Sequence, residues 1–187
     1  LLIFDEIPSA LGRTGKMYVC EHFDVEPDML VIGKGLGGGV FPMAALLAND
    51  ALNVVEDKAL GHYTHEKSSV GCAAALATID CLMEDGLLDN AVTLGNSGLQ
   101  QLEAIKLKHP IIHEVRGLGL FYGIDLRVDG KPASNEADAI LYHSLSNGLS
   151  YKVGGGSILT LCPPLTINND ELTQAFNIIE NGINSLN

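Results

Sequence analysis

Short apolar runs that end at acidic or turn-forming residues characterise the first part of the chain. Residues 1–4 are apolar throughout and are followed by Asp5 and Glu6, and two further runs cover 29–33 and 42–49. A continuous apolar run is typical of a strand that is covered on both faces of a sheet. The pattern therefore predicts a buried strand at the start of the chain and two more strands after it.

Apolar residues then recur at the three- and four-residue spacing of a helix. One such segment runs from Ser68 to Met83, and a second covers about 87–107, with Pro110 after its end. Because proline cannot continue a helix, Pro110 supports the second boundary. Two consecutive amphipathic helices are predicted.

The pattern changes after these helices. Residues 112–130 alternate between apolar and polar, which predicts an antiparallel strand pair or one long strand. A third helix is predicted over 134–148, with Ser134 as its N-cap and Gly148 as its C-cap. Residues 157–167 predict a strand that two prolines stop, and a helix with an Asn or Asp cap closes the chain.

This change of pattern near residue 100 predicts two domains. Residues 1–100 combine strands and helices in the way of an α/β domain, and residues 101–187 predict a smaller α+β domain. The fold class predicted for the whole chain is α/β.

Composition and charge limit the kinds of molecule that this chain is expected to bind. A chain of 187 residues that is 47% hydrophobic can bury a sizeable core, and its net charge of −12 argues against nucleic acid and anionic membranes. The cysteines show no CxxC spacing, which favours reduced thiols in a cytosolic protein over a metal or disulfide framework. No metal site is predicted either, because no ligand spacing links the histidines considered: His22, His62, His65 and His113.

Two charged residues follow apolar strands at the places where α/β sheets bind ligands. Asp5 ends the first strand, and Lys34 follows the second, just before a glycine-rich segment. A lysine amine in a dry site can form a Schiff base, and a carboxylate can keep a heterocyclic nitrogen protonated, which is the pair that pyridoxal phosphate needs. Taken alone, an acidic pair after a strand is most often a surface turn or a helix start, and a lysine in a glycine-rich loop is often a plain anion contact.

Motifs along nearly the whole chain resemble one enzyme family. The segments are FDEIPSALGRTGKMYVCEHFDVEPDMLVIGKGLGGGVFPMAALL, YTHEKSSVGCAAALATI, VRGLGLFYGIDL and LTLCPPLTI. In this order they resemble the class III, or ω-amino acid type, aminotransferases. The resemblance implies pyridoxal 5'-phosphate as cofactor, a homodimer, and fold type I: the C-terminal part of a mostly parallel large-domain sheet followed by a small α+β domain.

The resemblance also implies roles for individual residues. Lys34 would form the internal aldimine and carry the proton between substrate and cofactor, while Asp5 would pair with the pyridine nitrogen. Ile7 would pack against one face of the ring. Thr64 would contact the cofactor phosphate from the neighbouring subunit, with a hydroxyl at a helix N-terminus as the alternative. Arg13 is expected to organise its loop.

Three departures from the family pattern stand out. Pro8 stands where a glutamine is common, and Glu66–Ser69 replace GGNP beside the phosphate. Thr160 stands where members that bind a substrate carboxylate usually have an arginine. Losing such a charge-assisted contact costs about 1.5–3 kcal/mol, or roughly a 10- to 150-fold weaker grip on a keto acid. Lys152 is the first candidate for a relocated cation, and Arg116 is expected to pair structurally within the small domain.

The function that the resemblance implies is transfer of an amino group from an amine or ω-amino acid to a keto acid. One alternative is an ammonia- or phospho-lyase acting on an aminophosphonate or aminophosphate, because KHPIIHEVRGLGLFYGIDL also resembles such relatives. A racemase and a non-catalytic fragment that mediates dimer contacts are further alternatives. Since the resemblance places the phosphate-binding loop and the ring-stacking aromatic before residue 1, we expect these 187 residues alone to be inactive.

Overall fold

The computed structural model describes residues 1–55, 57–58, 61, 64 and 66–186, and it divides the chain into two compact units. The first unit comprises residues 1–12 and 16–88, and the second comprises 13–15 and 89–187. The division therefore falls between Leu88 and Asp89, and residue 100 lies within the second unit. His62 and His65 lie outside the described residues.

Three short strands form the sheet of the first unit. They are β1 (Ile3–Asp5), β2 (Met29–Ile32) and β3 (Ala45–Ala48), in that order across the sheet. β1 and β2 are parallel, whereas β3 runs antiparallel to β2. All three predicted strands are thus present, each shorter than its apolar run.

The first strand is not buried, contrary to the prediction. Leu1, Leu2 and Ile3 are 87%, 43% and 55% exposed. The strand order places β1 at an edge of the sheet, with β2 as its neighbour among the described strands. An apolar run therefore predicted the strand correctly, while its burial depends on what lies beside the edge.

The first long helix begins within one residue of its predicted start at Ser68. α1 (Ser69–Glu84) has Ser68 as its N-cap, whose Oγ accepts the backbone N–H of Gly71 at 3.4 Å. A Cβ atom at Gly71 would come 2.9 Å from the Phe41 ring. The first turn of α1 therefore packs against Phe41 at a distance that only glycine permits.

An antiparallel sheet with helices on one face makes up the second unit. After α2 (Leu87–Lys106) come β4 (Ile112–Gly117), β5 (Tyr122–Val128), β6 (Lys131–Pro132), α3 (Ser134–Ser146), β7 (Lys152–Gly154), β8 (Ile158–Leu161) and α4 (Asn169–Asn184). The strand order is β4-β5-β8-β7, with β6 paired to β5 and every pairing antiparallel. Residues 112–130 are thus a strand pair rather than one long strand.

The core of this unit lies between the helices and one face of the sheet. Side chains of β5 alternate between the two faces of the sheet, and Tyr122 lies on the face that packs on the helices. It is 1% exposed. Its ring packs edge-to-face on Phe176 with centroids 5.7 Å apart, and its hydroxyl donates to the Leu94 carbonyl at 3.0 Å. Burial raises the pKa of Tyr122 to about 12. We call the opposite face of the sheet the outer face; it carries Arg116, Gly123, Thr160 and Lys152.

Helix caps in this unit agree with the sequence at one helix and differ at another. Asn168 caps α4 as predicted, with its Oδ1 accepting the N–H of Glu171 at 2.9 Å and the Glu171 carboxylate accepting the N–H of Asn168 at 3.0 Å. At α3 the predicted cap is wrong, because Ala133 is the N-cap and Ser134 is already helical. Gly148 lies just after the C-cap, with a φ of 85°.

Arg13 organises its loop, as predicted. Its guanidinium donates to the carbonyls of Leu120, at 3.3 Å, and Pro163, and its own carbonyl accepts the N–H of Leu120 at 3.0 Å. Burial lowers the pKa of this guanidinium. Residues 13–15 thereby belong to the second unit although the chain on either side of them belongs to the first.

Replacing Gly95 with alanine should destabilise the second unit. A Cβ atom at this position of α2 would come 2.6 Å from the backbone of Gly119, which cannot rotate away. Overpacking of this kind costs about 1–3 kcal/mol of unfolding free energy, measurable by urea denaturation. Asn96→Ala, at the exposed next position, is the control, and equal stability of the two variants would contradict the prediction.

Across the described ranges, no helix combines the length and apolar character that a bilayer crossing needs. None of the four cysteines, all of which the structure describes, forms a disulfide.

Candidate active site

The carboxyl ends of β1 and β2 bring two predicted site residues to one edge of a sheet. The strands are adjacent and parallel, and Asp5, the last residue of β1, lies opposite Val31. The backbone N–H of Glu6 continues the pairing by donating to the Val31 carbonyl at 2.9 Å. Lys34 opens a short 3₁₀ helix two residues after β2 ends. Asp5 and Lys34 therefore leave the sheet at the same edge.

Lys34 has an unusual backbone conformation. Its φ is 47°, in the left-handed region that non-glycine residues seldom occupy. This conformation costs a residue with a Cβ atom roughly 1–2 kcal/mol, and such strain is concentrated at functional positions. A lysine is thus kept where glycine would be more favourable for the backbone.

Ile7 contacts both Asp5 and the backbone that precedes Lys34. Its backbone N–H donates to the Asp5 carboxylate at 3.1 Å, which restrains the carboxylate. Its side chain is half-buried and lies beside Gly33, where a Cβ atom would come 3.5 Å from the Ile7 Cγ2 atom. Ile7 therefore lies beside the backbone that immediately precedes Lys34.

The glycine-rich segment after Lys34 packs closely on α1. Gly38 and Gly39 have φ values of 65° and 74°. A Cβ atom at Gly38 would come 2.8 Å from the Thr78 hydroxyl of α1. Glycine is required at Gly38 both for the backbone conformation and for the approach of the helix.

Both site residues are exposed. Asp5 and Lys34 are among the exposed side chains, so the described residues do not form the apolar setting expected for Lys34. The reason is their position, since both follow strands of a sheet with only three described members. No ion pair joins Asp5 to Lys34 in the described part of the chain, and each can serve a different end of one ligand.

Glu6 is a residue that the sequence reasoning missed. It is 3% exposed, and its carboxylate accepts the backbone N–H groups of Val19 and Cys20 at 2.7 and 2.9 Å. Burial raises the pKa of the Cys20 thiol, and the nearby Glu6 carboxylate raises it further. Glu6 thus anchors the following loop to the end of β1 beside Asp5. An acidic pair after a strand was the available signal, but it did not show which carboxylate turns inward.

The remaining predicted residues belong to other elements of the chain. Thr64 is exposed in a turn four residues before Ser68, which caps α1, so the alternative of a helix N-terminal hydroxyl is wrong for Thr64. Thr160 lies half-buried in β8 of the second unit, opposite Gly123 on one side and Lys152 on the other.

Comparison with known proteins identifies the family. The family model described as "Aminotransferase class-III" matches residues 1–183. The chain belongs to the class III aminotransferases. A class III aminotransferase structure, acetylornithine aminotransferase from Elizabethkingia anophelis, has a TM-score of 0.90 and 35% identity, covering 99% of this chain and 48% of that one. This confirms the predicted fold class, the α/β fold type I of pyridoxal phosphate-dependent enzymes.

Curated relatives of this class III chain include both transferases and a lyase. The (R)-1-hydroxy-2-aminoethylphosphonate ammonia-lyase of Vibrio splendidus is 43% identical over 98% of this chain and 39% of its own length. Ornithine aminotransferase 1 of Staphylococcus saprophyticus is 38% identical over 96% of this chain and 43% of its own length. The chain therefore spans less than half the length of these relatives.

The donor set at the strand ends fits the cofactor of class III enzymes, pyridoxal 5'-phosphate. An amine is the group that binds its carbonyl carbon, and a carboxylate is the group that pairs with a protonated pyridine nitrogen. Lys34 and Asp5 supply these two groups from adjacent strands, with Ile7 between them in the chain and beside Gly33.

Proposed function

We propose that the full-length protein is a pyridoxal phosphate-dependent aminotransferase that moves an amino group from an amine or ω-amino acid to a keto acid. The observation that best supports this is the placement of Asp5 and Lys34 at the ends of two adjacent parallel strands in a class III chain. When bound, the cofactor supplies a carbonyl that accepts the amino group and a ring that withdraws electrons.

Each residue at the strand ends has a distinct part in this proposal. The Lys34 amine would hold the cofactor at its carbonyl carbon, and it would take the proton from the substrate carbon that bears the amino group. The Asp5 carboxylate accepts a hydrogen bond from the pyridine N–H and stabilises its positive charge. Ile7 packs against the ring and excludes water from that face. The contact from Ile7 N–H keeps the Asp5 carboxylate oriented.

Assembly and location complete the proposal. We infer a homodimer, in which Thr64, exposed in its turn, contacts the phosphate bound by the partner subunit. Residues 1–100 serve as the C-terminal part of the cofactor-binding domain, and 101–187 serve as the small domain. We also infer a cytoplasmic protein, since none of its four cysteines is in a disulfide.

A second candidate function is an ammonia- or phospho-lyase acting on an aminophosphonate or aminophosphate. Two observations favour it. The relative at 43% identity is an ammonia-lyase whose name specifies an aminoethylphosphonate. Thr160 also replaces the arginine typical of carboxylate-binding members, and a neutral side chain suits a substrate without a carboxylate at that place.

Ammonia release distinguishes the two functions. A transaminase returns its cofactor to the starting form only through a keto acid, so we expect sustained amine consumption with an acceptor such as 2-oxoglutarate and none without it. A lyase needs no acceptor. The measurement is ammonia and keto product over many turnovers, with Lys34→Ala protein as the background control. Sustained ammonia release from an aminophosphonate without any acceptor would overturn the first proposal in favour of the second.

A further inference from the structure

A cavity of about 450 Å³ opens on the outer face of the second unit. Gly123 and Gly154 line it from two strands, and neither contributes a side chain to fill it. Phe121 and Ile158 supply apolar walls. A volume of this size falls in the range of small-molecule sites, which combine apolar walls with a few polar groups.

Arg116 brings a positive charge to this cavity. It is the charged residue among the described lining residues, in a chain whose net charge is −12. Arg116 pairs with Gly123 across β4 and β5, and a Cβ atom at Gly123 would come 3.6 Å from both Cγ and Nε of Arg116. The arginine side chain therefore lies over Gly123.

Thr160 lies on β8, across Gly123 from Arg116. It pairs with Gly123 and lines the same cavity. The resemblance to carboxylate-binding aminotransferases led us to expect an arginine at this position, and a threonine has a smaller side chain than an arginine. Lys152 pairs with Thr160 from the other side, but the structure, which describes it, does not place it in the cavity lining.

We propose that Arg116 makes this cavity an anion site of the second unit, which binds a carboxylate or a phosphonate. The site lies wholly within that unit, so the proposal goes beyond the proposed function and does not depend on it. A guanidinium presents a planar fork of N–H donors that matches the oxygens of either group bidentately. Thr160 adds a hydroxyl donor beside it.

Glu114 orients Arg116 and leaves most of its N–H donors available for a ligand. The Arg116 Nη1 donates to the Glu114 carboxylate at 2.7 Å, which confirms the pairing predicted within the small domain. The side chains are 47% and 50% exposed, and ion pairs at this exposure contribute little to stability. A guanidinium has five N–H donors, so most remain for an incoming oxyanion.

Equilibrium binding to the cofactor-loaded full-length protein tests this proposal. The probes are glutarate and ethylphosphonate, which carry the two acidic groups but neither an amine nor a carbonyl, so they bind without reacting. We expect Arg116→Gln to weaken binding of at least one probe by about 10- to 150-fold in isothermal titration calorimetry. Loss for one probe alone identifies which acidic group the site takes. Arg127→Gln is the matched control, because Arg127 lies on the same face but pairs with Asp125 outside the cavity.

Charge relocation gives a second, independent measurement. In the Arg116→Gln background, Thr160→Arg should recover at least tenfold of the lost affinity, because both positions line one cavity. Gly123→Val should weaken binding by filling the cavity while the charge stays. Unchanged affinity in Arg116→Gln, an equal loss in Arg127→Gln, or a loss in Lys152→Gln alone would overturn the proposal. Probe binding that depends on Arg116 in a protein without amine turnover would reject the proposed function and keep the anion site.

Discussion

Replacing Lys34 with alanine should abolish amine turnover and remove the point at which pyridoxal phosphate attaches to the protein. The Lys34 amine is the nucleophile that the end of β2 delivers beside Asp5. Borohydride treatment of the loaded full-length protein should fix the cofactor to the peptide that contains Lys34, as mass spectrometry can show. The same peptide from the Lys34→Ala protein should carry no label. Lys106→Ala, which removes a lysine from a partly exposed ion pair on α2, should change neither result.

The backbone of Lys34 gives this prediction a second part. Because its φ is 47°, Lys34→Gly should be more stable than Lys34→Ala by about 1 kcal/mol in urea denaturation, although both lack the amine. The wild type should resemble alanine rather than glycine in the absence of cofactor. Borohydride labelling at another lysine would remove Lys34 from its proposed role, whatever the stability of the variants.

Changing Asp5 to asparagine should lower turnover by several orders of magnitude while the fold and cofactor attachment survive. An amide cannot stabilise the protonated pyridine nitrogen as a carboxylate does, so the ring loses most of its capacity to withdraw electrons. Asparagine keeps an oxygen that can accept the Ile7 N–H, so the local backbone should be preserved. The effect should fall on kcat, measured in steady state with saturating amine and acceptor.

Asp24→Asn is the matched control for this change. It removes the same charge from an exposed position of the first unit, and turnover should stay at the wild-type level. Thermal unfolding should show that both variants remain folded. If Asp5→Asn kept near-normal kcat, the charge at Asp5 would have no part in the chemistry, and the pyridine partner would have to be sought among other groups.

The placement of Asp5 and Lys34 followed from the sequence because it depends on local rules. Two apolar runs predicted the two strands, and ligands bind at the carboxyl ends of strands in α/β sheets. The exposure of both residues did not follow, since burial depends on what covers the sheet edge rather than on the run itself. Glu6 was missed for a related reason: nothing in two consecutive acidic residues shows which one accepts buried backbone N–H groups.

The second unit shows the same division between local and non-local information. The spacing of apolar residues predicted its helices and strands, and the Asn168 cap was visible because its partner lies three residues away. The error at Ser134 arose because the Ala133 N–H pairs with the Leu126 carbonyl, so the chain leaves the sheet and enters the helix within one residue. Arg116 reached its cavity through strand pairing with Gly123, which sequence spacing does not encode.

The membership of residues 13–15 in the second unit bears on how such proteins can be recombined. A gene fusion that transferred only residues 89–187 to another protein would omit Arg13. The guanidinium of Arg13 donates hydrogen bonds to the carbonyls of Leu120 and Pro163. The carbonyls of Leu120 and Pro163 would then need other donors. The second unit therefore cannot be transferred as one continuous segment of the chain. Successful chimaeras of class III chains should exchange the GRTG loop together with the C-terminal segment.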